Sequence, residues 1–242
     1  MILLVDIGNT RSKFCLVAAN GKLSDVSIAA NEHLTGDFLS NNFANVTKVF
    51  VASVNNPQLF AMISTWSAKN KKATEEIKTV KAAFGVTCAY KEHRNLGVDR
   101  WLAILGAHKL YPCQNTLVID AGTALTIDAI DDNGVHLGGW IQPGIQTALD
   151  AILQRTTKVF GSRSELSELA FGVSTEQCLQ MGCWASVVGS VNLARDLFAK
   201  NTKNVKLVFT GGDGESLSEK ITGDRIYHKD LIFHGMSRYL NR

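Results

Sequence analysis

Two short stretches combine an acid, a glycine and hydroxyl side chains at spacings that could hold a phosphate. Leu4-Val5-Asp6-Ile7-Gly8-Asn9-Thr10 lies near the start, and Val118-Ile119-Asp120-Ala121-Gly122-Thr123-Ala124-Leu125-Thr126 lies near the middle. In each, an apolar run enters Asp-x-Gly and apolar sequence then resumes, at Phe14–Val17 and at Ile127–Ile130. That is the pattern of a strand, a tight turn and a returning strand. A glycine in the turn lets backbone amides come close to another group. Successive amides there form a concave anion site, to which Asn9, Thr10, Thr123 and Thr126 add side-chain donors. Like charges repel, so Asp6 and Asp120 would act on a phosphate through a cation or its water shell. One copy would read as an ordinary hairpin turn. Two copies in matching contexts point to a nucleotide held in a cleft.

A third stretch, Leu96-Gly97-Val98-Asp99-Arg100-Trp101, sets an acid and a base side by side at a helix start, behind a glycine. An anion there would gain from the helix N-terminus and from Arg100. Asp99 could accept a proton from a hydroxyl while Arg100 grips a carboxylate. Equally, Asp99 could be a helix-start carboxylate beside a surface salt bridge. Other chemistries lack their signatures. There is no G-x-x-x-x-G-K-[ST], no G-x-G-x-x-G after a strand and no G-x-S-x-G, which excludes a P-loop and disfavours a dinucleotide fold and an esterase elbow. The six histidines form no evident triad.

These residues need two similar scaffolds. After the first hairpin an Asn20-Gly21 turn predicts a third antiparallel strand. Then follow a helix over 32–42, a buried strand over 48–54, a helix over 58–70, a helix over 74–84 and a short strand over 86–90. A polar loop spans 91–97 and a helix 98–110. The Tyr111-Pro112-Cys113 region marks a junction, giving domains 1–113 and 114–242. The second repeats the plan: a hairpin over 116–130, a strand over 135–140, a helix from Pro143 to about Gln154 and a polar linker over 155–168. A long helix over 175–200, a strand over 205–210 ending in Gly211-Gly212, a helical turn over 217–220, a strand over 225–227 and a helical end over 230–239 complete it. Each half is a mixed α/β domain, and the gap between two such domains is a common ligand site.

Bulk properties fit such a protein. Of 242 residues, 45% are hydrophobic and 19% charged, enough apolar sequence for real cores. A net charge of +3, with basic residues scattered apart from Lys69–Lys72, leaves no nucleic-acid footprint. Cys15, Cys88, Cys113, Cys178 and Cys183 include no C-x-x-C pair, so they read as free thiols of a reducing compartment. With no basic leader and no apolar run of membrane-spanning length, the reading is a cytoplasmic protein without a membrane partner.

The ordered set of motifs resembles the type III pantothenate kinases of the actin-like and sugar-kinase superfamily. The matching stretches are Asp6-Ile7-Gly8-Asn9-Thr10, Gly97-Val98-Asp99-Arg100, Asp120 to Thr126, Gly138-Gly139-Trp140-Ile141-Gln142-Pro143-Gly144-Ile145 and Thr210-Gly211-Gly212. The resemblance implies two ribonuclease H-like domains with an interdomain cleft, and ATP-dependent phosphorylation of pantothenate, the first step towards coenzyme A. By position, it implies that Asp6, Ile7, Gly8, Asn9, Thr10, Arg11, Ser12 and Lys13 hold the ATP phosphates, with Asp6 near Mg²⁺. It makes Asp99 the proton acceptor, and Tyr90, Gly97, Val98, Asp99, Arg100 and Thr175 the pantothenate contacts. Asp120 matches the ligand of a monovalent cation, K⁺ or NH₄⁺, and Thr123 an ATP contact. The long helix would help to form a homodimer. Ala121 stands where many members carry an aromatic and Leu125 where many carry a threonine, and the loop before Gly97 lacks a common proline. The alternatives are a sugar kinase of the same superfamily and a non-enzymatic accessory or regulatory protein.

Overall fold

A computed structural model describes residues 1–54, 56–155 and 168–241. The chain forms two compact units, Met1–Leu110 together with Asp230–Arg242, and Tyr111–Lys229.

Unit 1 opens with the expected hairpin, β1 (Ile2–Ile7) and β2 (Arg11–Val17), followed by β3 (Ser27–Ala30). Next come α1 (Gly36–Phe43), β4 (Lys48–Ser53), α2 (Pro57–Lys69) and β5 (Ala73–Ile77). A small hairpin, β6 (Ala82–Ala83) and β7 (Val86–Thr87), precedes α3 (Val98–Leu110). The main sheet has the order β3-β2-β1-β4-β5, with β1 antiparallel to β2 and parallel to β4. Alternation along β1 sends Leu3, Val5 and Ile7 into a core with Phe14, Val49, Val51, Leu39, Ile63 and Trp66. Proline at the start of α2 and the Asn56 side chain, which accepts the Leu59 N–H at 3.1 Å, fix where that helix begins.

Unit 2 repeats this order. It comprises β8 (Thr116–Ala121), β9 (Ala124–Ile130), β10 (His136–Pro143), α4 (Ile145–Leu153), α5 (Thr175–Ala199), β11 (Lys206–Thr210), α6 (Gly214–Glu219) and β12 (Arg225–Tyr227). Its sheet runs β10-β9-β8-β11-β12, again with the first strand antiparallel to the second and parallel to the fourth. Leu117, Ile119, Leu125, Ile127, Leu207 and Phe209 pack beneath Ile145 and Leu149 of α4 and Trp184, Val187 and Val191 of α5.

Three local expectations give way. The third strand is not the one leaving the Asn20-Gly21 turn. That segment makes one bridge, Val17 to Leu23, and the paired strand is Ser27–Ala30. The helix expected over 32–42 starts only at Gly36, where the Thr35 side chain accepts the Phe38 N–H, and residues 31–33 form a 3-10 turn. The helix expected over 74–84 is β5 followed by the small hairpin. Its Ala, Glu and Lys residues favour a helix locally, but pairing with β4 and the 2.9 Å Lys48–Glu75 ion pair win. The linker expected over 155–168 lies almost wholly outside the described residues.

The C-terminal helix α7 (Leu231–Met236) belongs to unit 1, whereas the sequence reading gave it to the second half. It meets α3 where glycines face backbone. A Cβ at Gly106 would overlap the Leu231 carbonyl, and one at Gly235 the Leu102 carbonyl. Trp101, fully buried, donates to the Tyr239 hydroxyl at 3.2 Å. The chain thus enters unit 2 at Tyr111 and leaves it after Lys229, and there the Tyr111 hydroxyl and His228 Nε2 hydrogen-bond at 2.7 Å. Burial pushes the Tyr111 phenol up, with Lys206 opposing. Among the described residues no helix is long and apolar enough to cross a membrane.

Candidate active site

The first hairpin turn comprises Gly8–Arg11, between the paired residues Ile7 and Ser12, and closes with Gly8 N–H donating to the Arg11 carbonyl at 3.1 Å. Asp6 precedes it and is only 5% exposed. Asn9, Thr10 and Arg11 are exposed, Ser12 is buried and Lys13 half-buried. Asn31, which sequence reasoning missed, grips this turn. Its side-chain amide donates to the carbonyls of Gly8 (2.9 Å) and Asn9 (3.1 Å), and its Oδ1 accepts from Ser12 Oγ (2.7 Å).

The Gly97–Arg100 segment starts α3, as expected. Asp99 is half-buried and its Oδ1 accepts the Arg100 backbone N–H at 2.8 Å, as a helix-start carboxylate does. The carboxylate sits over Gly97, where a Cβ would fall 2.5 Å from Oδ1. Glycine is therefore required for this seat. Arg100 is buried, 5% exposed, and donates to the Tyr90 hydroxyl at 3.0 Å. Arg100 is therefore not a surface residue, and it forms one unit with Tyr90. The Lys81 ammonium holds the backbone of the segment that leaves β7 towards Tyr90, donating to the carbonyls of Cys88 (2.7 Å) and Tyr90 (3.2 Å). A buried Thr79 hydroxyl holds the Leu96 carbonyl at 2.8 Å, just before Gly97. Thr79 escaped notice because it lay inside the expected helix.

The two groups share one end of the unit 1 sheet. Ile7 pairs with Ser53 and its carbonyl accepts the Val54 N–H at 3.1 Å. Ser53 and Val54 line a cavity of about 510 Å³ together with Ile77, Thr79, Gly97 and Val98. It opens at the C-terminal ends of the parallel strands, where open α/β sheets bind ligands.

In unit 2 the turn is Gly122–Ala124, between Ala121 and Leu125, and closes with Gly122 N–H donating to the Ala124 carbonyl at 3.0 Å. Thr123 is exposed. Its carbonyl accepts from the Gly144 N–H (3.0 Å) and from the Thr147 hydroxyl (2.6 Å). Asp120, one residue before the end of β8, pairs with Thr210 of β11, whose chain runs on into Gly211. Thr175 is exposed in the first turn of α5, behind the N-cap Ser174, and none of the described hydrogen bonds ties it to the turn. The described residues hold no group of three or more His, Cys, Asp or Glu side chains able to cage a metal. A cation beside Asp6 or Asp120 would therefore take most of its ligands from carbonyls, water and phosphate, which suits Mg²⁺ on a nucleotide or a loosely held monovalent ion.

Two sheets of identical strand order, each opened by an acidic hairpin, define the fold of the actin-like ATPases and sugar kinases. A solved structure from Sinorhizobium meliloti, a candidate 2-dehydro-3-deoxygalactonokinase, aligns over 98% of this chain and 97% of its own at a TM-score of 0.63 and 11% identity, a likeness of fold alone. A Campylobacter jejuni structure, a candidate Baf family transcriptional activator, aligns over 99% and 97% at a TM-score of 0.66 and 28% identity. The family model for type III pantothenate kinases matches residues 2–195. A type III pantothenate kinase of Colwellia psychrerythraea is 34% identical over 249 residues, covering 99% of this chain and all of that protein. The chain belongs to the type III pantothenate kinase family.

Proposed function

We propose that this chain transfers the γ-phosphoryl group of ATP to the primary hydroxyl of pantothenate, the first step towards coenzyme A. The observation that carries the reading is that Gly97, over which Asp99 is seated, shares a cavity with Ser53, the β4 residue paired with Ile7 where the first turn begins. Phosphoryl transfer has a loose transition state, so positioning and charge neutralisation do most of the work. The amides of the first segment, from Asp6 to Lys13, with the Thr10 hydroxyl, and Thr123 of the second turn bind the triphosphate. Asp99 orients the pantothenate hydroxyl and takes its proton late, so it need not be a strong base. Arg100, stiffened by Tyr90, holds the polar body of the substrate with Gly97 and Val98, and Thr175 supplies a further contact. When bound, Mg²⁺ near Asp6 and a monovalent cation, K⁺ or NH₄⁺, near Asp120 supply positive charge against the phosphates.

The working form is a cytoplasmic homodimer without nucleic-acid or membrane partners. Leu137, Trp140 and Leu197 line an apolar groove of about 350 Å³ beside α5, which supports pairing through that face. The five free thiols suit a reducing compartment.

A coupled ADP-release assay with pantothenate against a panel of sugars, with and without K⁺, tests the reading. Turnover with pantothenate alone is expected. Turnover with a sugar would make the chain a sugar kinase, and none with any substrate would favour an accessory role. Asp99→Asn should lower kcat by about 100-fold or more while the KM for ATP stays within about twofold. Full activity in that variant would remove Asp99 from the chemistry.

A further inference from the structure

Asn31 lies 22 residues from Asn9 along the chain, yet among the described residues its side chain hydrogen-bonds only to the first hairpin. The third strand delivers it there. Ala30 pairs with Arg11, and the next N–H, that of Asn31, donates to the Thr10 carbonyl at 3.0 Å. The two amide hydrogens then meet the carbonyls of Gly8 and Asn9, while Oδ1 meets the hydroxyl of the fully buried Ser12. This arrangement fixes the amide orientation, because the reverse would set Oδ1 against two carbonyl oxygens.

The consequence follows from peptide planarity. In a trans peptide the carbonyl of one residue and the N–H of the next point in opposite directions, and no peptide in the described chain is cis. Holding the Gly8 carbonyl towards Asn31 turns the Asn9 N–H away from it. Holding the Asn9 carbonyl does the same for the Thr10 N–H. Among the described residues neither N–H has a hydrogen-bond partner, and both residues are exposed. Two adjacent amides aimed to the same side are the basic unit of a backbone anion site.

We propose that Asn31 is a positioning residue for ATP, holding the Gly8 and Asn9 carbonyls so that the Asn9 and Thr10 N–H groups point together at the triphosphate. The proposal rests on the reading of the Gly8–Arg11 turn as a phosphate cradle. It assigns to Asn31 no contact with the nucleotide.

The test is steady-state kinetics on the full chain, with KM for ATP and for pantothenate measured separately. Asn31→Asp keeps the shape and the acceptor for Ser12 but loses both donors and sets a charge against the two carbonyls. Asn31→Asp and Asn31→Ala should raise the KM for ATP about tenfold or more, since each freed carbonyl lets its peptide rotate, and leave the KM for pantothenate within about twofold. The exposed neighbour variant Glu32→Ala should change neither. Thr10→Val, which removes a side-chain donor from the turn itself, separates the two ideas. If Thr10→Val raises the KM for ATP and Asn31→Asp does not, the positioning role is overturned and the cradle stands. If neither moves it, the cradle reading falls and the inference with it. Equal rises in both KM values would make Asn31 a general structural support and overturn the proposal. Should the Asn31 variants fail to fold, Ser12→Ala, which removes one tie to Asn31, should give a smaller rise confined to ATP, and no rise would overturn the proposal.

Discussion

The two hairpin turns occupy the same place in two copies of one sheet, yet they are built differently. The first spans four residues, Gly8–Arg11, and the second three, Gly122–Ala124. In both, the residue just after the third strand donates its backbone N–H into the turn at 3.0 Å, Asn31 to Thr10 and Gly144 to Thr123. Thereafter they diverge. The first turn is held by the Asn31 side chain. The second is held by the near-contact of the Gly144 backbone with Gly122 and by the Thr147 hydroxyl from α4. A longer turn has more carbonyls to restrain and leaves space for a side chain to do it. A shorter turn brings backbone against backbone and leaves none. One plan can therefore require asparagine in one copy and glycine in the other.

That contrast can be broken in order of expected effect. Gly144→Ala should be the most damaging change, because its Cβ would overlap the Gly122 carbonyl, which is backbone and cannot swing aside. We expect a loss of about 3 kcal/mol of stability, read as a lower thermal midpoint, with activity down by about 100-fold or more. A mild outcome would mean that the second turn tolerates being pushed open. Thr147→Val comes next. Losing the hydroxyl bond to the Thr123 carbonyl should cost about 1 kcal/mol and raise the KM for ATP severalfold, a weaker counterpart of the Asn31 variants. The pair Gly8→Ala and Gly122→Ala comes last. A Cβ at Gly8 would stand 3.1 Å from the Arg11 carbonyl, whereas at Gly122 the nearest atom is 3.9 Å away. Gly8→Ala should therefore lose more activity than Gly122→Ala, and the reverse order would show that the second turn, not the first, sets phosphate approach.

Much of this was legible in the sequence where the signal was local. Asp-x-Gly between apolar runs marked both hairpins, Asn56-Pro57 marked the start of α2, and Gly97 before Asp99 marked the start of α3. What escaped was non-local. Residues 73–77 carry a helical composition and become a strand only because β4 offers an edge to pair with. Asn31 looks like one polar residue in a loop until the β2–β3 register carries it to the turn. The only hint was that Asn, unlike its neighbours, offers two donors and an acceptor at once. Thr79 was hidden by the wrong helix around it. The homing of α7 to unit 1 depends on Gly106 and Gly235 meeting backbone more than a hundred residues away, which no window along the chain can see.

The hydrogen bond between Tyr111 and His228 has its own consequence. These residues stand at the doorway through which the chain enters unit 2 and the one through which it departs, and their side chains touch at 2.7 Å. Topologically, then, unit 2 is a cassette spliced into its host with its two splice points side by side. Such a cassette can grow, shrink or be exchanged over generations without stretching the strands and helices that flank it.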